Sequence, residues 1–374
     1  MHRDHSKSAW ALAALATAAL LAACQDDKPA QSTAKTAAAP ATAKMAAAPA
    51  PKKDEIDPDR LGMFAPLPAA MESAQNPITD AKVELGRQLY YDARLSKNQD
   101  VSCNTCHGLD TFGVDGKEVS TGHKGQKGTR NSPSVYNAAG HFVQFWDGRA
   151  ANVEEQAKGP VLNPVEMAMP DDKKVVEVLK SIAPYVDAFK KAFPDDKEPV
   201  SYDNMAKAIG AFERKLVTPS RWDKLLKGDK SALTSEEKAG FNAFLDAGCA
   251  ACHTGAHLGG AVYQKAGLIK PWPNQKDQGR FDVTKNDIDK MMFKVPGLRN
   301  VAKTAPYFHD GSAKTLEEAV KTMAALQSGK ELKDSETKSI VAFLDALTGE
   351  IPKDYVKQPE LPKSGPKTPK PDPK

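Results

Sequence analysis

The chain has 374 residues, 40% of them hydrophobic and 27% charged, which is enough for two domains with sizeable cores once its two ends are set aside. A formal net charge of +4 is mild for this length, and no dense basic cluster accompanies it, so a nucleic-acid-binding footprint is excluded. Charge alone names no partner.

Residues 1–23 have the form of an export signal: basic Arg3 and Lys7, then an apolar run from Trp10 to Ala23 that is too short to span a bilayer. The run ends in Leu21-Ala22-Ala23-Cys24, the pattern of a lipoprotein signal-peptidase box, which implies cleavage before Cys24 and acylation of that cysteine. The bland alternative is an ordinary secretory signal with an incidental cysteine. Several acyl chains together would hold a membrane, and Gln25 in the second mature position directs a Gram-negative lipoprotein to the outer membrane. Residues 24–57, dominated by Ala, Pro, Lys and Thr, read as a lipidated flexible linker.

From Pro58 the composition turns globular, and Ala81 to Tyr91 carries apolar residues at helical spacing. That helix leads into Cys103-Asn104-Thr105-Cys106-His107, a pattern that recurs as Cys249-Ala250-Ala251-Cys252-His253. C-x-x-C-H attaches a c-type haem through two thioethers and places histidine beside the iron, so two copies imply two haems. A zinc site is the competing reading, favoured only by His257 four residues after His253. Zinc explains neither histidine that directly follows the cysteine pairs. With Cys24 assigned to lipid and Cys103, Cys106, Cys249 and Cys252 to haem, all five cysteines are used and no disulfide is expected.

After His107 comes a segment rich in glycine, with His123 near its centre. Such a segment disfavours regular structure and predicts a mobile loop. Phe145-Trp146-Asp147-Gly148-Arg149 follows, then Gln156 on a short helix and Glu166 after Asn163-Pro164. Residues 172–193 and 200–217 look helical, and the latter closes a first domain over 58–217. In the second domain, 218–350, Thr234-Ser235-Glu236-Glu237 is a capping box before the second haem motif. Thr315-Leu316-Glu317-Glu318 caps a helix bearing Val320 and Met323, and a last helix runs from Asp334 to Leu347. Residues 351–374, with seven prolines, predict an extended, solvated Pro/Lys-rich tail.

The halves repeat one another. Arg130-Asn131 with Phe145-Trp146-Asp147-Gly148 pairs with Arg299-Asn300 and Phe308-His309-Asp310-Gly311, and Glu154-Glu155 pairs with Glu317-Glu318. This points to duplication of one haem-binding helical unit. The predicted fold is mainly α, two cytochrome c-like haem domains packed together behind the signal and linker.

Taken jointly, these motifs resemble the bacterial dihaem cytochrome c peroxidases from roughly residue 60 to 350. The resemblance implies reduction of hydrogen peroxide to water with electrons from a small cytochrome c or a copper protein (cupredoxin). It implies His107 and His123 as the axial ligands of an N-terminal, peroxide-reducing haem, with His123 released on activation. His253 and Met323 become the ligands of a C-terminal haem, which a thioether poises as the site of electron entry. Glu166 takes the part of the catalytic carboxylate, Gln156 that of the amide that positions peroxide, and Trp146 lies between the haems. A calcium ion is implied at Asn131, Thr304 and Pro306, as are a homodimer and a periplasmic location. A related family that oxidises aromatic residues of a partner protein has tyrosine in place of Met323. A pure electron-transfer cytochrome would need neither Glu166 nor Gln156.

Overall fold

The computed structural model describes residues 54–373; the expected signal, Cys24 and residues 24–53 of the linker lie outside the described residues. Nine helices of six residues or more order the described part: α1 (Asp80–Tyr91), α2 (Val153–Leu162), α3 (Asp172–Lys180), α4 (Ala183–Ala192), α5 (Tyr202–Glu213), α6 (Arg221–Leu226), α7 (Ser235–Asp246), α8 (Leu316–Met323) and α9 (Asp334–Asp345). Two short strands, β1 (Tyr263–Lys265) and β2 (Met292–Lys294), pair antiparallel with Tyr263 opposite Lys294. Among the described residues no helix is long and apolar enough to cross a membrane.

Each half is built on a crossed helix pair. Thr79 caps α1 by accepting from the backbone N–H of Lys82, and the helix turns Val83, Leu85, Leu89 and Tyr90 inward against α5. The helices touch backbone to backbone at Gly86, where a Cβ would stand 1.9 Å from the Ala208 carbonyl oxygen. The second half repeats the device with α7 and α9. Gly240 meets the Ser339 carbonyl, again with 1.9 Å between an added Cβ and the oxygen. The expected Thr234 capping box starts α7. The single helical stretch expected over 172–193 is two helices, because the chain turns at Ser181-Ile182 and restarts with Pro184 in the first turn of α4, where a missing N–H does no harm.

Two hydrophobic cores result. The first gathers Leu89, Tyr90, Val178, Leu179, Phe189, Ile209 and Phe212. The second is aromatic, with Trp222 edge-on to Phe343 at 5.3 Å and tilted against Phe241 at 5.1 Å. The chain ends cross over between these cores. Phe64, early in the chain, packs edge-on against Trp222 in the second core, so the stretch that opens the predicted first domain is bound to the other one.

The expected solvated tail is corrected in the same way. A short helix, Lys353–Val356, buries Val356 in the first core and stacks Tyr355 on Phe212 at 5.1 Å, and the Tyr355 hydroxyl donates to the Phe212 carbonyl. Further on, Thr368 accepts from Ser181, and the Pro369 carbonyl accepts from Gln99. Composition pointed to a tail because proline and lysine prevail; two apolar side chains suffice to dock it. Tyr355→Ala should therefore cost about 2 kcal/mol of stability, read as a lower denaturation midpoint. An unchanged midpoint would mean that the tail is a passive appendage.

The duplication is visible in the backbone. Phe145 and Phe308 both adopt positive φ, followed by positive-φ Gly148 and Gly311, and paired bridges close each turn, Gln144 with Ala150 and Tyr307 with Ala313. The counterpart of Asn300, however, is Asn137 and not Asn131. Both are left-handed, both precede their phenylalanine by eight residues, and both donate to the buried Thr218 hydroxyl, at 2.9 Å from Asn137 and 2.8 Å from Asn300. The sequence match by Arg-Asn was thus six residues out of register, which frees Asn131 for a different task.

Candidate active site

The first C-x-x-C-H begins as one helical turn, Cys103–Cys106, held by Ser102, whose N–H donates to the Thr105 hydroxyl at 3.0 Å. In the second, Gly248 at φ 86° ends α7 and swings the chain into the turn Cys249–Ala251. Each histidine ring faces a carbonyl through Nδ1: His107 to Gly113 at 3.3 Å and His253 to Leu258 at 2.9 Å. With Nδ1 engaged as donor, Nε2 is left as the lone-pair nitrogen that a metal requires. Burial lowers both imidazole pKa values, which keeps the rings neutral as ligands must be. Burial also raises the thiols, that of Cys249 to about 11 and those of Cys103 and Cys106 in the same direction. Among the described residues no group of three or more His, Cys, Asp or Glu is placed to hold a metal ion.

Both turns open on one cavity of about 960 Å³, walled by Cys106, His107, Cys249, Cys252 and His253, while Cys103 packs behind against the first core. That is the upper end of the ~300–1,000 Å³ usual for bound organic groups. Its walls also include Gln156, Glu166, Trp146, Met323, Asn131, Thr304 and Pro306, so apart from Cys103 the described residues singled out from sequence converge, with one further exception. That further exception is His123, which is buried with Nδ1 unpartnered among the described residues and is not among the cavity walls.

The glycine-rich segment around His123 is folded rather than loose. Thr121 bridges Lys127, the His123 N–H donates to the Glu166 carbonyl at 2.8 Å, and Gln126 reaches the Pro164 carbonyl. Gly122 is needed there because an added Cβ would lie 2.3 Å from the Val165 carbonyl oxygen. His123 and Glu166 therefore sit on segments bonded directly to each other. Burial raises the Glu166 carboxyl pKa, opposed by the charge of Arg149 and by a 2.8 Å hydrogen bond from Asn163. Arg149, held over the Phe145 ring at 3.4 Å, is a cavity residue to which sequence reading gave no role. Glu213 is another: burial, aided by nearby Glu154, pushes its carboxyl up to about 8 against the pull of Arg214. Its position at the end of an amphipathic helix gave no sequence signal.

Where the halves meet, Trp146 donates from Nε1 to the Asn131 carbonyl at 2.9 Å, and the Asn131 N–H donates to the His309 carbonyl at 2.8 Å. His309 stacks on Phe293 at 4.2 Å and faces Trp146 edge-on. Trp146 and Met323 pack against the same cluster of Trp272, Met291 and Phe293. Met323 ends α8, and a π-helical turn, Ala324–Ser328, follows at once, a distortion common at functional sites. Asn131, Thr304 and Pro306, the residues that the resemblance associates with calcium, all line this cavity.

Comparison with known proteins agrees with this arrangement. Residues 80–231 match the family model described as di-haem cytochrome c peroxidase, and residues 237–348 match cytochrome c. The cytochrome c551 peroxidase of Pseudomonas aeruginosa is 47% identical over 325 residues, covering 85% of this chain and 93% of that protein. Its namesake from Nitrosomonas europaea is 46% identical, covering 83% and 94%. Among solved structures, a MauG-like protein associated with microbial copper homeostasis superposes with a TM-score of 0.70 at 32% identity, covering 78% of this chain and 97% of that one. With two C-x-x-C-H turns on one cavity and nearly half its residues shared with such enzymes, the chain belongs to the di-haem cytochrome c peroxidase family and is a peroxidase carrying two c-type haems.

Proposed function

We propose that hydrogen peroxide is reduced on the Glu166 side of the cavity and that electrons from a small cytochrome c or cupredoxin enter at the second motif. The observation that carries this is the placement of Glu166 and Gln156 on the cavity that His107 also lines, with the Glu166 carboxyl held toward neutrality by burial. The bound haems would supply one-electron centres, held by Cys103, Cys106 and His107 in the unit 58–217 and by Cys249, Cys252, His253 and Met323 in the unit 218–350. The Glu166 carboxylate takes the proton from one peroxide oxygen and returns it to the other as the O–O bond breaks. Two electrons and two protons convert one peroxide into two waters. Gln156 orients the oxidant by hydrogen bonding, and the Arg149 cation balances the anionic form of Glu166.

Electron entry at the second motif is supported by the chain beside Met323. Leu268 lines the cavity yet is 51% exposed, Ile269 beside it is 60% exposed, and both are bonded to the turn that follows Met323. Small redox partners dock through weak contacts of this apolar kind. Trp146 would carry electrons onward, and a calcium ion at Asn131, Thr304 and Pro306 would fix the Asn131 carbonyl on which Trp146 hangs. A periplasmic enzyme tethered at Cys24 to the outer membrane, working as a homodimer, completes the reading.

In the resting oxidised enzyme His123 would help His107 hold the first haem, and its withdrawal would give peroxide access to that side of the cavity. Because His123 is bonded to the Glu166 backbone, the same movement would reposition the carboxyl. His123→Gly is therefore expected to reduce peroxide without prior reduction. Initial rates of fully oxidised and half-reduced samples, with calcium varied, provide the check; a variant that still needs pre-reduction excludes His123 as the gate. Peroxide turnover indifferent to both Glu166 and poise would overturn the whole assignment.

A further inference from the structure

We propose that Lys294, with His141 beside it, forms the seat for a haem propionate carboxylate at the junction of the two halves. Lys294 is the last residue of β2, and its backbone N–H donates to the Trp146 carbonyl at 2.8 Å, which fixes it next to the residue between the haem motifs. The side chain is 6% exposed and lines the shared cavity. Among the described residues its ammonium has one hydrogen-bond partner, the Nδ1 atom of His141 at 3.4 Å, and no carboxylate within ion-pair reach. Asp147 attracts it from a distance but is already paired with Arg130 and Arg149.

A buried ammonium without a counter-ion is costly, and proteins retain one where an anion completes it. Here burial lowers the Lys294 pKa to about 8, which marks the missing negative charge. Around it the chain has cleared space. His141, contributed by the first half, is edge-on to His257 at 5.4 Å, and a Cβ on Gly260 or Gly297 would strike its ring at 2.3 Å or 2.8 Å. Burial and the nearby Lys294 charge both depress His141, so the ring stays a neutral acceptor and hydrogen-bonding neighbour and adds no second charge. The anion that this family brings to the cavity is the propionate of its covalent haem, a carboxylate of the size one ammonium and one imidazole can hold. Lys294 would bind it directly, and His141, from the other half, would brace the lysine.

The inference rests on both haems occupying the cavity, which the family assignment supplies, and not on the roles given to Glu166 or Met323. Its test is spectroelectrochemical titration of the holoprotein. Removing the cation in Lys294→Met should stabilise the oxidised form of one haem by roughly tenfold or more, which for one electron is a fall of about 59 mV. Lys294→Arg should restore most of it, whereas a lysine that merely fills space would give no such rescue. If Lys294→Met fails to load haem, a crystal structure of the unaltered holoprotein decides the question. A propionate oxygen within about 4 Å of Lys294 Nζ supports the seat. Both propionate pairs lying elsewhere, or two midpoints unmoved in Lys294→Met, overturn it.

Discussion

Glu166→Gln is expected to lower peroxide turnover by about 10²–10⁴-fold, the usual worth of a positioned acid–base group, while both haem spectra stay as in the parent. Glutamine keeps the size of the side chain and can still accept the Asn163 hydrogen bond, so the local fold should survive and only proton transfer is removed. The pH profile carries a second, independent signature. The base must be ionised to take a proton from peroxide, and burial has raised its pKa, so kcat/KM should fall with decreasing pH on a limb lying above the ordinary carboxylate range. Arg149 opposes that shift. Arg149→Leu should therefore move the limb to still higher pH without abolishing activity. Steady-state rates near those of the parent in Glu166→Gln, measured with a competent donor, would sink the assignment.

Much of this site could be read from sequence because covalent haem attachment needs a contiguous pattern, and the adjacent histidine fixes one ligand at each centre. The duplication was legible for the same reason: the turns around Phe145 and Phe308 need positive-φ residues at fixed offsets, and those positions recur in both halves. What escaped notice depends on contacts between distant segments. Asn137 pairs with Asn300 only because both reach Thr218, and a run of identical letters misled the alignment by six positions. Phe64 and Tyr355 cross to opposite cores, which no local composition reports. Lys294 looks like any strand lysine until its burial beside Trp146 is seen. His123 shows the reverse failing. Glycine density suggested a loose loop, yet backbone bonds to the Glu166 segment hold it in place, so the proposed movement of His123 is a rearrangement of packed segments rather than the drift of a free loop.

Met323→Ala should remove the weak long-wavelength absorption that thioether ligation gives ferric haem and lower the potential of the second centre. Axial ligands move haem potentials across roughly 0.8 V, and a thioether lies toward the high end because soft sulfur favours ferrous iron. A fall on the order of 0.1 V is a modest demand within that span, and at a fixed donor poise it cuts the reduced-to-oxidised ratio of this centre about fifty-fold. Donor-driven turnover should fall in parallel, while the Glu166 side of the cavity is untouched. Met291 and Met292 are the competing ligands, and of these Met291 is buried in the same cluster. Met291→Leu separates the two, since only loss of the true ligand removes the absorption. The geometry favours Met323: it ends α8 immediately before a π-helical turn and lines the cavity with His253, whereas Met291 turns its backbone into the pairing with Gln278 and Ala266 and is not among the walls. Should Met323→Ala keep both the absorption and the potential while Met291→Leu loses them, electron entry remains at the second motif but its ligand changes, and α8 becomes packing alone.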